Sequence, residues 1–162
     1  MSDAQAGHEK TLSAILPALA GANMIYGVGM LETGLTLDYG QMVMDDEFAE
    51  MIKYVLKGIP VNDETLALDV IHEIGSSRDF LSHEHTYKRM RTEQTHPELI
   101  DRQVRESWEE SGSRNIHERA WDKANHILDT HQPEPLPDNV LATIRSIVEE
   151  AEEELGVSAQ KC

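Results

Sequence analysis

At 162 residues, 40% of them hydrophobic, the chain can bury one ordinary core, so a single domain is expected. Thirty Asp and Glu against 14 Lys and Arg give a net charge of −16, which excludes the basic surface that nucleic-acid binding needs. The single cysteine, Cys162, excludes an intrachain disulfide and a Cys-based zinc site and fits a reducing compartment.

Residues 1–10 are polar and lack the apolar centre of a signal peptide. No apolar run approaches the roughly 18 residues of a spanning helix. The expectation is therefore a cytoplasmic protein with no membrane partner. The acidic surface keeps the chain in solution or meets a basic patch on a partner.

Residues 2–8 are small and polar and read as a loop. Leu12, Ile15, Leu16 and Leu19 then recur at helical spacing over 9–20, with Pro17 expected to kink the helix and Gly21 to end it. Residues 23–27 (NMIYG) read as a buried strand. A glycine-punctuated turn follows, carrying Glu32, Thr33 and Gly34. Asp38 with Gln41 has the form of a capping box opening a helix to about Lys57. Met44, Phe48, Met51, Ile52 and Val55 stripe one face of that helix, and Met42 and Val43 add a second apolar patch. Strand, loop, helix is one βα unit of an α/β protein.

Everything after Asp38 reads as helical. Asn62 caps a helix over 63–74, with Leu66, Ala67, Val70, Ile71 and Ile74 inward. Residues 75–79 form a loop, and Ser82 caps a short helix to about Arg91. Thr95 and Glu98 suggest a capping box before a helix striped by Leu99, Ile100, Val104 and Trp108. Gly112 breaks that pattern, and Asn115 with Glu118 repeats the capping arrangement ahead of Ile116, Ala120, Ala124, Ile127 and Leu128. Pro133, Pro135 and Pro137 make an extended spacer. A last helix over 138–155 turns Val140, Ile144, Ile147, Val148, Ala151 and Leu155 to one side, and Gly156 stops it. Glu149 to Glu154 read as a solvated face.

The run GANMIYGVGMLETGLTLDY resembles the C-terminal part of the trimethylamine methyltransferase family. SDAQAGHEKTLSAILPALAGAN before it, IPVNDETLALDVIHEIG and FLSHEHTYKRMR after it, and EPLPDNVLATIRSIVEEAE near the end resemble the same family in the same order. The resemblance implies the C-terminal fragment of a (β/α)8 TIM barrel followed by a mostly helical extension. Residues 1–57 would be the last βα units and 58–162 the extension. A complete barrel needs about 250 residues.

A barrel active site lies where strands end and βα loops begin. By this resemblance the loop over 28–37 faces the site, and its carboxylate, Glu32, is the candidate catalytic residue, holding a cationic amine through charge. Tyr26 and Tyr39 would add cation–π contact. Gln5 and His8, in the place of the preceding βα loop, would face the same mouth. The plainer reading makes Glu32 a backbone cap, Tyr26 a core residue, and Gln5 and His8 ordinary loop residues. His83 and His85 make an H-x-H pair, but a helix does not bring residues two apart to one face, and no third ligand lies near them in sequence. They read as helix-start residues. No GxGxxG, HExxH, GxSxG or P-loop is present, and Cys162 at the terminus is a poor nucleophile.

The resemblance further implies methyl transfer from trimethylamine to the cobalt of a separate corrinoid protein, so that this chain binds no cofactor or metal itself. The corrinoid protein and a small methylated amine are the expected partners, with self-association into a homo-oligomer. In the trimethylamine branch an in-frame amber codon encodes pyrrolysine in the later part of the barrel, and a gene split there would yield a second piece beginning near SDAQAGHEK. Two further readings stay open: a fragment of a quaternary-amine (glycine betaine) methyltransferase, and a stand-alone helical interaction module that binds the corrinoid protein or an intact homologue.

Overall fold

The computed structural model describes residues 2–76 and 78–157; Met1, Ser77 of the expected 75–79 loop, and Cys162 lie outside them. The chain divides after Asp129 into two compact units. It is mostly helical. Among the described residues the sheet is a single antiparallel hairpin of β1 (Met30–Leu31) and β2 (Thr36–Leu37), with Met30 opposite Leu37 and Leu31 opposite Thr36. Among the described residues no barrel is seen, and residues 23–27, expected as a strand, form no ladder. A strand persists only beside a neighbour, and no described segment supplies one.

Helix α1 (Ala4–Leu19) starts five residues earlier than the apolar spacing suggests. Asp3 is its N-cap, its carboxylate accepting the Ala6 N–H at 3.1 Å. Gln5 and His8 therefore lie on the first turns of a helix, not in a loop. Pro17 falls in the last turn, Ala20 is the C-cap, and Gly21 follows at φ +86. Leu12, Leu16 and Leu19, the residues that recur at helical spacing, are exposed.

Helix α2 (Tyr39–Val55) organises the first unit. Asp38 caps it by accepting the Gln41 N–H at 2.6 Å. The reciprocal half of the box does not form. The Gln41 side chain turns inward instead, where it is 1% exposed. Met44 and Ile52 are buried as expected, whereas Val55 is exposed. Beside the apolar stripe, α2 buries two carboxylates, Asp45 and Glu47.

Glu47 draws a distant segment onto α2. Its Oε2 accepts the N–H groups of Glu98 (2.7 Å) and Leu99 (2.8 Å), and its Oε1 accepts that of Ile100 (3.1 Å). Leu99 thereby packs with Met44 and Ala120, flanked by Val43, Phe48 and Ile116. Ala120 lies on α7 (Ile116–Thr130), which the Asn115–Glu118 box opens as expected, with both halves formed (2.9 and 2.8 Å). Arg119 on α7 ties back through two donors to the Leu99 carbonyl (3.2 and 2.6 Å).

The expected 63–74 helix is two, α3 (Asp63–Leu66) and α4 (Leu68–Ile74), divided at Ala67, which is left-handed at φ +49. Asn62 and Thr65 form a complete capping box. Of the residues expected inward here only Ile74 is buried. Helix α5 (Glu84–Arg89) is capped by His83, whose Nδ1 accepts the His85 N–H at 3.1 Å, not by Ser82. The Thr95–Glu98 box is likewise corrected. Residues 95–104 are not helical, because Glu47 takes the amides a helix would use, and α6 is short (Arg105–Glu110).

Ser82 donates its N–H (3.0 Å) and hydroxyl (3.1 Å) to Asp79. These bonds, the backbone one foremost, hold the Asp79 carboxyl below its ordinary value of 3.8. A depressed carboxyl stabilises the turn above the unfolded value and loses that effect as the pH falls through the folded one. Titration of the Asp79 side-chain carbon by NMR should show a midpoint below 3.8, with the Ser82 amide signal moving in step.

The second unit contains α8 (Asp138–Leu155), which begins and ends where the sequence places it, with left-handed Gly156 as its C-cap. It has no buried residue. Residues 131–137, with the three prolines, carry no regular structure.

Candidate functional site

The loop between α1 and α2 folds into the β1–β2 hairpin, and Glu32 stands at its tip. Glu32 (φ +52) and Thr33 (φ +54) are consecutive non-glycine residues in left-handed conformation. Each costs on the order of 1–3 kcal/mol and persists only where the surroundings hold it. One restraint is the Thr36 hydroxyl, which donates to Glu32 Oε2 at 2.7 Å. At the base, the Asp38 N–H donates to the Gly29 carbonyl at 2.9 Å. Gly29 suits this place for two reasons. Its φ is +74, and a Cβ there would lie 3.0 Å from both Leu37 and Met42.

The hairpin is anchored to the two helices by a buried polar network. Lys10 on α1 donates to Asp45 Oδ2 at 2.5 Å and to the Gly27 carbonyl at 3.0 Å. The same Oδ2 accepts the Gly29 N–H at 2.8 Å. Asp45 Oδ1 accepts from the Gln41 amide at 2.6 Å, and Gln41 accepts from the Ser2 hydroxyl at 2.8 Å. One carboxylate on α2 thus fixes α1, the turn at 27–29 and hence the start of the hairpin bearing Glu32. Sequence reasoning missed Lys10 and Asp45, and read Gln41 only as half of a capping box. Their signal was present as three polar residues on helix faces otherwise read for their apolar stripes.

The other candidates are dispersed. Tyr26 is 84% exposed and lines an open groove of about 560 Å³ between α1 and α2, whose floor includes Ala14, Ala18, Ile25, Phe48 and Ile52. Tyr39, in the first turn of α2, is exposed. The Gln5 amide donates along α1 to Glu9 at 2.9 Å, and His8 is exposed. A second cleft, of about 480 Å³, is lined by Asp3, Gln41, Met44, Phe48, Asn115 and His117, among others. Neither cleft is lined by Glu32, Tyr39, Gln5 or His8. His117 Nε2 lies 3.2 and 3.3 Å from the carboxylate oxygens of Asp38, joining the starts of α7 and α2.

His83 and His85 have separate partners: His83 Nε2 lies 3.6 Å from Glu73, and His85 Nε2 lies 3.2 Å from the Glu64 carbonyl. Among the described residues no group of three or more His, Cys, Asp or Glu is arranged to hold a metal ion. No helix among them is long and apolar enough to cross a membrane.

The family model for trimethylamine methyltransferase matches residues 1–156. The chain belongs to the trimethylamine methyltransferase family. It is 54% identical over 96% of its length to trimethylamine methyltransferase MttB of Desulfitobacterium hafniense, spanning 31% of that protein. It is 40% identical over 93% of its length to MttB of Methanosarcina barkeri, spanning 30%. A glycine betaine methyltransferase of Desulfitobacterium hafniense is 29% identical over 95% of the chain, which spans 32% of it. The chain therefore covers about a third of the length of these family members, which agrees with a C-terminal part.

Proposed function

We propose that this chain is the part of a corrinoid-dependent trimethylamine methyltransferase that presents the Glu32 hairpin to an amine site completed by the rest of the enzyme. The observation that carries this reading is the contrast in identity: 54% and 40% to trimethylamine methyltransferases against 29% to the glycine betaine enzyme.

Trimethylammonium is a small cation whose apolar methyl surface and positive charge suit a carboxylate flanked by aromatic rings. In this proposal Glu32 holds that cation, and its left-handed backbone with the Thr36 hydroxyl sets the direction of the carboxylate. Tyr26 and Tyr39 supply ring faces once the missing polypeptide has closed around them, and Gln5 and His8 border the same site. Residues 1–57 act as the last βα units of the barrel and 58–162 as its extension. A reduced corrinoid carried on a separate protein would supply the electron pair that takes the methyl group, while the C–N bond electrons would stay with the nitrogen of dimethylamine. The residues of this chain bind and orient the amine, which is mainly a positioning task. The completed enzyme self-associates as a homo-oligomer.

The test joins this chain to the part of the Desulfitobacterium trimethylamine methyltransferase that it does not match, in a host that decodes amber as pyrrolysine. With reduced corrinoid protein, dimethylamine should form from trimethylamine and no demethylated product from glycine betaine. Betaine turnover alone would transfer the proposal to the quaternary-amine branch. A folded joined protein inactive on both would favour the interaction module. In the active protein Glu32→Gln should lower kcat/KM for trimethylamine by about 10–100-fold, the worth of one hydrogen bond to a charged group. The loss should fall mainly on KM, since the cation is held in the ground state as well. An unchanged kcat/KM would remove Glu32 from the site.

A further inference from the structure

His117 Nε2 lies within reach of both carboxylate oxygens of Asp38, across 79 residues of sequence. A carboxylate only accepts, so Nε2 carries a proton and donates. Asp38 does not need this partner to cap α2, since its Oδ1 already accepts the Gln41 N–H. The imidazole stacks on Trp121, one turn further along α7, with 6.4 Å between ring centroids. Gly40 shows that the approach is built into α2. It sits in the first turn of the helix, where alanine would be the more stabilising residue. A Cβ there would lie 2.9 Å from His117 Nε2 and 3.2 Å from Asp38 Oδ1, crowding both partners of the bond.

Asp38 is also the foot of the hairpin. Its N–H donates to the Gly29 carbonyl, and its own carbonyl accepts the Met42 N–H at 2.9 Å. Two residues before it stands Thr36, whose hydroxyl holds Glu32 Oε2. The hairpin therefore has two legs. Gly29 is fixed by Asp45, and through it by Lys10 of α1, whereas Asp38 is fixed by His117 of α7. We propose that His117 is a positioning residue for the amine site: by gripping Asp38 it lets α7 fix the β2 end of the hairpin, and so the direction of the Glu32 carboxylate. The role of Glu32 rests on the functional reading above; the grip on Asp38 does not.

Hydrogen exchange and NMR on this chain alone test the grip. In His117→Ala the Asp38 amide should exchange at least about 10-fold faster, through local opening of the hairpin base. The nuclear Overhauser contact between the Thr36 and Glu32 side chains should weaken with it. His117→Gln, whose amide can still donate to the carboxylate, should restore both. Kinetics on the joined protein described above test the consequence. His117→Ala should raise KM for trimethylamine about 10-fold and change kcat by less than about twofold, because the cation is held in the ground state as well. His117→Gln should recover most of that loss. Gly40→Ala keeps the histidine but sets a methyl group against Nε2, so KM should rise in the same way. A higher KM in both variants, each still folded by circular dichroism at the assay temperature, separates lost aim from lost fold. Unchanged Asp38 exchange or an unchanged Thr36–Glu32 contact in His117→Ala overturns the proposal, as does an unchanged KM in an active joined protein. Losses that His117→Gln does not restore assign the effect to packing of the ring and overturn it too. An inactive joined protein, with Asp38 and Thr36 released by His117→Ala in this chain alone, keeps the positioning and rejects the functional reading.

Discussion

Glu47→Ala should destabilise the chain by about 3–5 kcal/mol, seen as a lower urea midpoint at unchanged slope in far-ultraviolet circular dichroism. The carboxylate is 8% exposed and is the acceptor for three consecutive amides, those of Glu98, Leu99 and Ile100. An orphaned buried donor costs about 1–3 kcal/mol. The Leu99 N–H would bear most of that, because the bonds to Glu98 and Ile100 are only partly buried and water can reach those donors. Leu99 belongs to the core cluster with Met44 and Ala120, so the loss would spread to packing. Glu47→Gln keeps one acceptor oxygen and sets an NH2 group against a donor, so it should cost less, about 1–3 kcal/mol. A Glu47→Ala midpoint within experimental error of the parent would show that the 98–100 segment is held by packing alone.

Lys10→Met should cost about 2–4 kcal/mol, and the cost should fall when Asp45→Asn is added. Asp45 is the deeper partner, at 8% side-chain exposure against 21% for Lys10. Removing the ammonium strands a buried charge, though the Gly29 N–H and the Gln41 amide still donate to it. Neutralising both partners removes that penalty, so the double-mutant cycle should show a coupling of at least about 1 kcal/mol. Because Asp45 also holds Gly29, Asp45→Asn in the joined protein should raise KM for trimethylamine as the hairpin loosens. Strict additivity of the two substitutions would mean that the 2.5 Å contact contributes nothing specific.

Helices with strong caps were readable from the sequence. Asp38, Asn62 and the Asn115–Glu118 pair open helices where expected, and α8 runs between its expected ends, because caps and stops are local chemistry. Where local signals competed with tertiary demand, the reading failed. Thr95 and Glu98 have the form of a cap, but Glu47, about fifty residues upstream, claims the amides that follow. Residues 4–8 look like a loop by their small side chains, yet Asp3 caps them into α1. The strand over 23–27 fails for another cause: a strand persists only beside a neighbour, and no described segment supplies one. Glu32 was visible as a carboxylate in a glycine-rich loop. Its strained backbone and the Lys10–Asp45 anchor beneath it were not, because both arise only when α1 and α2 meet.

The Glu47 clamp also sets an order of events during synthesis. Its first amide partner lies 51 residues downstream, whereas Lys10 precedes Asp45 by 35. At ribosomal speeds of about 5–20 residues per second, Glu47 waits about 3–10 s for its partners after it has been made. The α1–α2 pair can dock as soon as α2 leaves the exit tunnel, while the neighbouring carboxylate remains hydrated and the surface intended for Leu99 stays bare. A nascent chain stalled near residue 90 would thus display that apolar surface to chaperones, and one released beyond residue 120 would not.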